Sequence, residues 1–141
     1  MWGMMVALAS GALMSLQGVF NTEVTKHSSI WASASWVQLT AFITCVILYF
    51  ATGRGEIMGM FSMDRKYMLL GGVMGAFITW TVIKSMDDLG PARATLLIVV
   101  TQILVSYFIE VFGLFGVEKA GFEWKKLIGA AVAIAGIVIF K

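Results

Sequence analysis

The chain has 141 residues, of which 60% are hydrophobic and 13% charged, and its mean hydropathy is +0.91. A soluble globular domain carries about a quarter charged residues, so this composition excludes one and describes a chain whose main solvent is lipid. The net charge of +2 is too small and too scattered for a nucleic-acid partner, and the single Cys45 excludes an intrachain disulfide.

Five apolar segments can be drawn in order. Met1 is followed at once by apolar sequence, with no basic region and no small-residue cleavage site. The first segment, Trp2 to about Val24, is therefore expected to be a retained span and not a cleaved signal. The polar turn His27-Ser28-Ser29 leads to the second span, Ile30 to Ala51, which Thr52-Gly53-Arg54-Gly55 stops. A connection through Arg54, Glu56, Asp64, Arg65 and Lys66 precedes the third, Tyr67 to Met86. Gly90 suits the end of that helix, and Pro91, the only proline, suits the first turn of the next. The fourth span, Ala94 to Gly116, can cross a hydrocarbon core of roughly 30 Å at 1.5 Å per residue. After a loop carrying Glu118, Lys119 and Glu123, the fifth runs from Trp124 to Phe140, and Lys125, Lys126 and Lys141 are expected to snorkel to the interfaces.

Trp2, Trp31, Tyr49, Tyr67 and Trp124 stand near proposed span ends, where amphipathic rings prefer to lie. Small residues recur every four positions at Gly3, Ala7, Gly11 and Ser15, at Gly71 and Gly75, and along Gly129, Ala133 and Gly136. Such faces let membrane helices approach closely. Packing within one bundle is the plain expectation for each, and the fifth span is the expected contact with a second copy. Five spans put the termini on opposite sides. One side then holds Arg54, Arg65, Lys66, Lys119, Lys125 and Lys126, the other Lys26, Lys84, Arg93 and Lys141, six against four. That margin is a weak positive-inside signal, slightly favouring a cytoplasmic N-terminus, and a chain so nearly balanced can insert either way up.

Polar residues fall at helical spacing on three of the spans. Ser10, Gln17 and Asn21 share a face of the first, and Trp31, Ser35, Gln38 and Cys45 share one of the second. Gln102, Ser106 and Glu110 share one of the fourth. Together they suggest a small hydrated cavity near the middle of the membrane, although a buried amide can also simply bond a neighbouring helix, the expectation for Gln38. Glu110 has no basic residue in its own span. An acid so placed normally faces protein or water and suits it to bind a cation or to carry a proton; the plain alternative is a solvated span end. Glu23, at the border of the first span, is a weaker case. Trp80 could stack on a cationic or planar solute, though packing suffices to explain it. Lys84 is expected to snorkel, and Cys45 reads as a small core residue. The chain has no P-loop, GxSxG or HExxH motif and no Cys/His cluster, so no enzyme, cofactor or metal site is expected.

SGALMSLQGVFNTEV (Ser10 to Val24), GGVMGAF (Gly71 to Phe77) and the LGPARA turn (Leu89 to Ala94) form an ordered series. TQILVSYFIEVFGLFG (Thr101 to Gly116) and LIGAAVAIAGIVIF (Leu127 to Phe140) continue it. In order and spacing this series resembles the YdcZ-like proteins of the drug/metabolite transporter superfamily, with Glu110 where relatives often carry an aspartate. The resemblance implies a half-size, five-span protein of a bacterial inner membrane, similar to one half of ten-span transporters built from inverted repeats. Its relatives occur as fused halves, paired chains or single chains that pair antiparallel, and the near-balanced charge fits the last. The expected function is therefore a secondary transporter subunit: an all-α antiparallel homodimer of ten helices, moving a small polar or cationic solute by alternating access, with proton exchange the economical coupling. Gln17, Asn21, Gln102, Ser106 and Glu110 are the expected solute and coupling residues. The rivals are a passive channel built as a similar dimer and a membrane scaffold that transports nothing.

Cysteines placed at Ser62 and Gly121 should label from one side of a uniformly oriented molecule, and one at Ser28 from the other. Labelling of the Ser62 and Ser28 sites from the same side would refute five spans.

Overall fold

The computed structural model describes residues 1–53 and 55–139. Arg54, Phe140 and Lys141 lie outside the described residues, and with them Arg54's share in stopping the second span, the expected fifth-span end at Phe140 and the snorkelling of Lys141. All regular structure described is helical: α1 (Trp2–Lys26), α2 (Ile30–Thr52), α3 (Gly71–Leu89), α4 (Pro91–Phe112) and α5 (Trp124–Ile139). Short 3₁₀ turns lie at Met58–Ser62, Lys66–Leu70 and Leu114–Gly116.

Trp2–Lys26, Ile30–Thr52, Lys66–Leu89 and Pro91–Phe112 are long and apolar enough to cross a membrane. With 16 described residues, α5 is about 24 Å long, short of a roughly 30 Å hydrocarbon core. Only 6% of each of the four apolar stretches is buried within the chain, so side chains such as Leu8, Leu13, Phe42 and Ile47 point outward. Such a surface suits lipid, because a helix satisfies its backbone polar groups internally and needs no water at its sides.

The chain divides into two compact units, Met1–Asp88 and Leu89–Lys141. In the first, α1 ends at His27, and Ser29 caps α2 by accepting a hydrogen bond from the Ala32 N–H at 3.1 Å. At this hairpin the helices touch through a small buried pair, Ser33 and Ala34, and the Ser33 hydroxyl donates to the Asn21 carbonyl at 3.0 Å. Gly53 ends α2, its N–H bonding the Tyr49 carbonyl, and the Tyr49 hydroxyl donates to the Gly55 carbonyl beyond it at 2.7 Å. Against α1, α3 lays Val82 and the buried Met86, with Ile83 fully buried beside them. Against α2 it sets Thr79, which accepts from the Gln38 side-chain amide at 3.4 Å, and Trp80, stacked on Trp31 with centroids 6.1 Å apart. Gln38 therefore bonds a neighbouring helix, as a buried amide is expected to do.

In the second unit, Pro91 opens α4 and Gly113 closes it in the left-handed conformation at φ 64°. The helix stops four residues before the end of the apolar run, because the chain turns back there. A side chain at Gly113 would be strained by its φ and would meet Lys119 Cβ at 3.2 Å. The returning loop places the Ala120 N–H 2.9 Å from the Glu110 carbonyl. Tyr107 fixes its far end: the Tyr107 hydroxyl accepts from the Glu123 N–H at 2.8 Å and donates to the Glu123 carbonyl at 3.1 Å.

The small-residue periodicity marks only one close approach between helices, at Gly75, where a Cβ would lie 3.3 Å from the Gln38 side-chain nitrogen on α2. Among the described residues, space is open where a Cβ would stand at Gly3, Gly11, Gly71, Gly129 and Gly136. The closer approach is at Gly18, which that series omits: a Cβ there would lie 2.5 Å from Met86 Cε and 2.6 Å from its Sδ. The methionine tip is flexible, so alanine should be accommodated and a branched side chain should not. Gly18→Leu is expected to destabilise the fold by about 1–3 kcal/mol, read as a lower thermal midpoint in detergent, while Gly11→Leu leaves it unchanged. Equal midpoints for the two variants would contradict this packing.

Candidate functional site

An open concavity lies along the α1–α2 hairpin. Gln17 and Asn21, one turn apart on α1, face Thr40, Thr44 and Cys45 on α2 across about 410 Å³. The crossing is held at Asn21, whose backbone carbonyl accepts from both Ser33 and Thr25 hydroxyls, at 3.0 and 2.9 Å. That contact buries the residue to 8% exposure. Its side-chain amide makes no hydrogen bond among the described residues. Since no buried side-chain nitrogen or oxygen lacks a partner, the amide atoms must reach the accessible cavity wall.

The opposite wall offers acceptors. The Thr40 hydroxyl donates to the Trp36 and Val37 carbonyls, both at 3.0 Å, and the Thr44 hydroxyl donates to the Thr40 carbonyl at 2.8 Å. Their protons are committed to the backbone and their lone pairs are left for a ligand. Cys45 is exposed here and is not a core residue, contrary to its sequence reading. Gln17 also borders a second open hollow of about 460 Å³ with Ser10, so the expected Ser10–Gln17–Asn21 face is divided between two concavities that meet at Gln17.

The second unit has its own cavity, about 380 Å³, lined by Ser106, Tyr107, Glu110 and Lys126 over an apolar floor that includes Leu104 and Ala130. Glu110 stands in the last turn of α4, two residues from its end, with a half-exposed side chain. Lys126 Nζ lies 3.2 Å from Glu110 Oε2 and 3.7 Å from Glu123 Oε1, and 5.6 Å from the centre of the Tyr107 ring. The acid that lacked a basic partner in its own helix thus finds one on α5. Gln102 is exposed near the middle of α4, outside this cavity.

Tyr107 and Lys126 were not among the expected site residues. The Glu110–Lys126 contact spans 16 positions and depends on the loop doubling back, so no helical spacing announces it. Two further pairs at span borders are local, Glu23 with Lys26 at 2.6 Å and Lys84 with Asp88 at 2.8 Å. Trp80 stacks on Trp31 with planes 19° apart and lines neither cavity.

A family model described as "Putative inner membrane exporter, YdcZ" matches residues 2–139. The match covers nearly the whole chain, and the chain belongs to that family: it is a multi-pass inner-membrane protein of a transport class. No curated protein and no solved structure matches it.

Proposed function

We propose that this chain is one half of a secondary transporter, an antiparallel homodimer of five-span copies that exports a small polar solute by alternating access. One observation carries the reading: an unspent amide, Asn21, lines a concavity along two helices long enough and apolar enough to span the bilayer. Polar groups at membrane depth are costly and mark solute pathways when no protein partner consumes them. Gln17 and Asn21 are the proposed solute contacts of the first unit. Gln102, Ser106 and Glu110 are those of the second, and Trp80 is assigned to packing against Trp31.

Two copies in opposite orientation would supply the ten helices and inverted repeats of larger transporters. The six-to-four charge split supports that arrangement, as do the open small-residue faces at Gly129 and Gly136. In this reading α5 is the fifth span, with Trp124, Lys125 and Lys126 at one interface.

Glu110 is the proposed coupling group. Its contact with Lys126, 3.2 Å long, joins α4 to α5, so a change at this acid would act on that pair of helices. Glu110→Gln keeps shape and hydrogen bonding while removing the charge. The variant is expected to fold and dimerise, to lose accumulation driven by a pH gradient in proteoliposomes, and to retain only exchange that is insensitive to pH. Wild-type pH-driven transport by this variant would reduce Glu110 to a paired helix end.

Orientation can be tested separately. Two lysines added beside Lys26, or two beside Lys125, should drive insertion to opposite single orientations. Each biased form alone should transport at background level, and their co-expression should restore activity. Full activity from one biased form would exclude the antiparallel pair.

A further inference from the structure

The chemistry of the α1–α2 cavity defines its ligand more narrowly than "polar". We infer that it binds a neutral, polyhydroxylated small molecule and rejects ions of either sign. The inference rests on the transport reading only for what binding accomplishes; the binding itself stands on the cavity.

The first argument is charge. The wall is built from amides, threonine hydroxyls, aliphatic side chains and one thiol, with no carboxylate, lysine or arginine. The nearest acid along α1, Glu23, is outside the wall and is paired with Lys26 at 2.6 Å. An ion brought between membrane-length helices needs a compensating charge, because an unpaired charge is far more expensive to desolvate than a hydroxyl. The cavity provides none.

The second argument is the pattern of donors and acceptors. Asn21 and Gln17 each offer two N–H donors and one carbonyl acceptor, and nothing among the described residues uses them. Thr40 and Thr44 face them with lone pairs only, their protons being held by the Trp36, Val37 and Thr40 carbonyls. A ligand that satisfies both walls must donate toward α2 and both accept and donate toward α1. A hydroxyl group does each from a single atom, so a chain of hydroxyls fits where a pure acceptor or a pure donor leaves half the wall unpaired. Asn21 matters most, since it is more than nine-tenths buried, lines the cavity, and its side-chain amide has no hydrogen-bond partner among the described residues.

Cys45, the only cysteine, lies in the wall and reports occupancy without any engineering. The experiment measures the rate of Cys45 alkylation by N-ethylmaleimide on the purified full chain in proteoliposomes. The solutes are glycerol, erythritol, xylitol and sorbitol, with tetramethylammonium and acetate as the ionic comparisons. A bound solute at about ten times its dissociation constant leaves roughly a tenth of the cavities open, so alkylation should slow by up to about tenfold. At least one polyol should protect in this way, and neither ion should. Asn21→Leu should abolish protection while alkylation without solute stays near the wild-type rate; Gln17→Leu should weaken protection and serves if the first variant does not fold.

Protection by tetramethylammonium or acetate, protection by no polyol, or a Cys45 that does not react at all would overturn the inference. The two proposals fail separately. Polyol protection without polyol flux across the same vesicles leaves the site and removes the transporter. Flux of an ion that protects Cys45 leaves the transporter and removes the neutral site.

Discussion

The hydrogen bond from the Ser33 hydroxyl to the Asn21 carbonyl sets the terms for the first half of the chain. Lipid gives helices no hydrophobic reason to associate, so contact depends on close packing and on a few polar bonds. Ser33, 1% exposed, and its neighbour Ala34 are small enough to bring α2 against α1 at this point. An i−4 carbonyl in a helix already serves one N–H, yet the Asn21 carbonyl also takes the Ser33 and Thr25 hydroxyls. The residue whose carbonyl closes the hairpin is also the one whose side-chain amide lines the concavity beside it.

The second unit is organised by a turn in place of a crossing. Gly113 and Gly116 are left-handed, and so is Phe115 between them at φ 58°, an unusual conformation for a bulky residue. Three such residues reverse the chain within a few positions and fold the loop over the last turn of α4. Tyr107 then clasps Glu123 from both its N–H and its carbonyl, which sets the first turn of α5 and with it Lys126. The Glu110–Lys126 pair is a product of that loop geometry. Held near the end of α4, it sits where a charged pair is affordable in a membrane protein.

Much of this was legible in the residues, and the limits have physical causes. Hydropathy marks the first four helices because lipid selects composition over long windows, and Ser29, Gly53 and Pro91 punctuate them through local backbone chemistry that needs no tertiary partner. The Gln17–Asn21 spacing likewise survives into the structure as a shared wall. Thr40 and Thr44 were passed over because, within an apolar run, threonine usually bonds its own helix; they do so here, and only the facing amides make their lone pairs significant. Gly18 was missed because periodicity identifies where a close approach is permitted, whereas Met86 determines where one occurs. The fifth span is weakly marked for a different reason: 16 described residues with two lysines in the first turn leave too little uncharged length to stand out.

The placement of charge follows one pattern in both units. Among the described ionisable groups of the long helices, Glu23 with Lys26, Lys84 with Asp88 and Glu110 with Lys126 all lie toward helix ends. The α1–α2 cavity is left uncharged. In the proposed antiparallel pair, the membrane potential acts in opposite senses on equivalent charges of the two copies. A neutral solute in an uncharged cavity is indifferent to that asymmetry, so each copy could load it equally well from its own side. Electrical or pH drive would then have to enter elsewhere, and Glu110, beside Lys126 in the cavity of the second unit, is the group proposed for it. The proposed reading thus divides the labour by chemistry: hydrogen bonds in the first unit for recognition, and the Glu110–Lys126 pair of the second for charge.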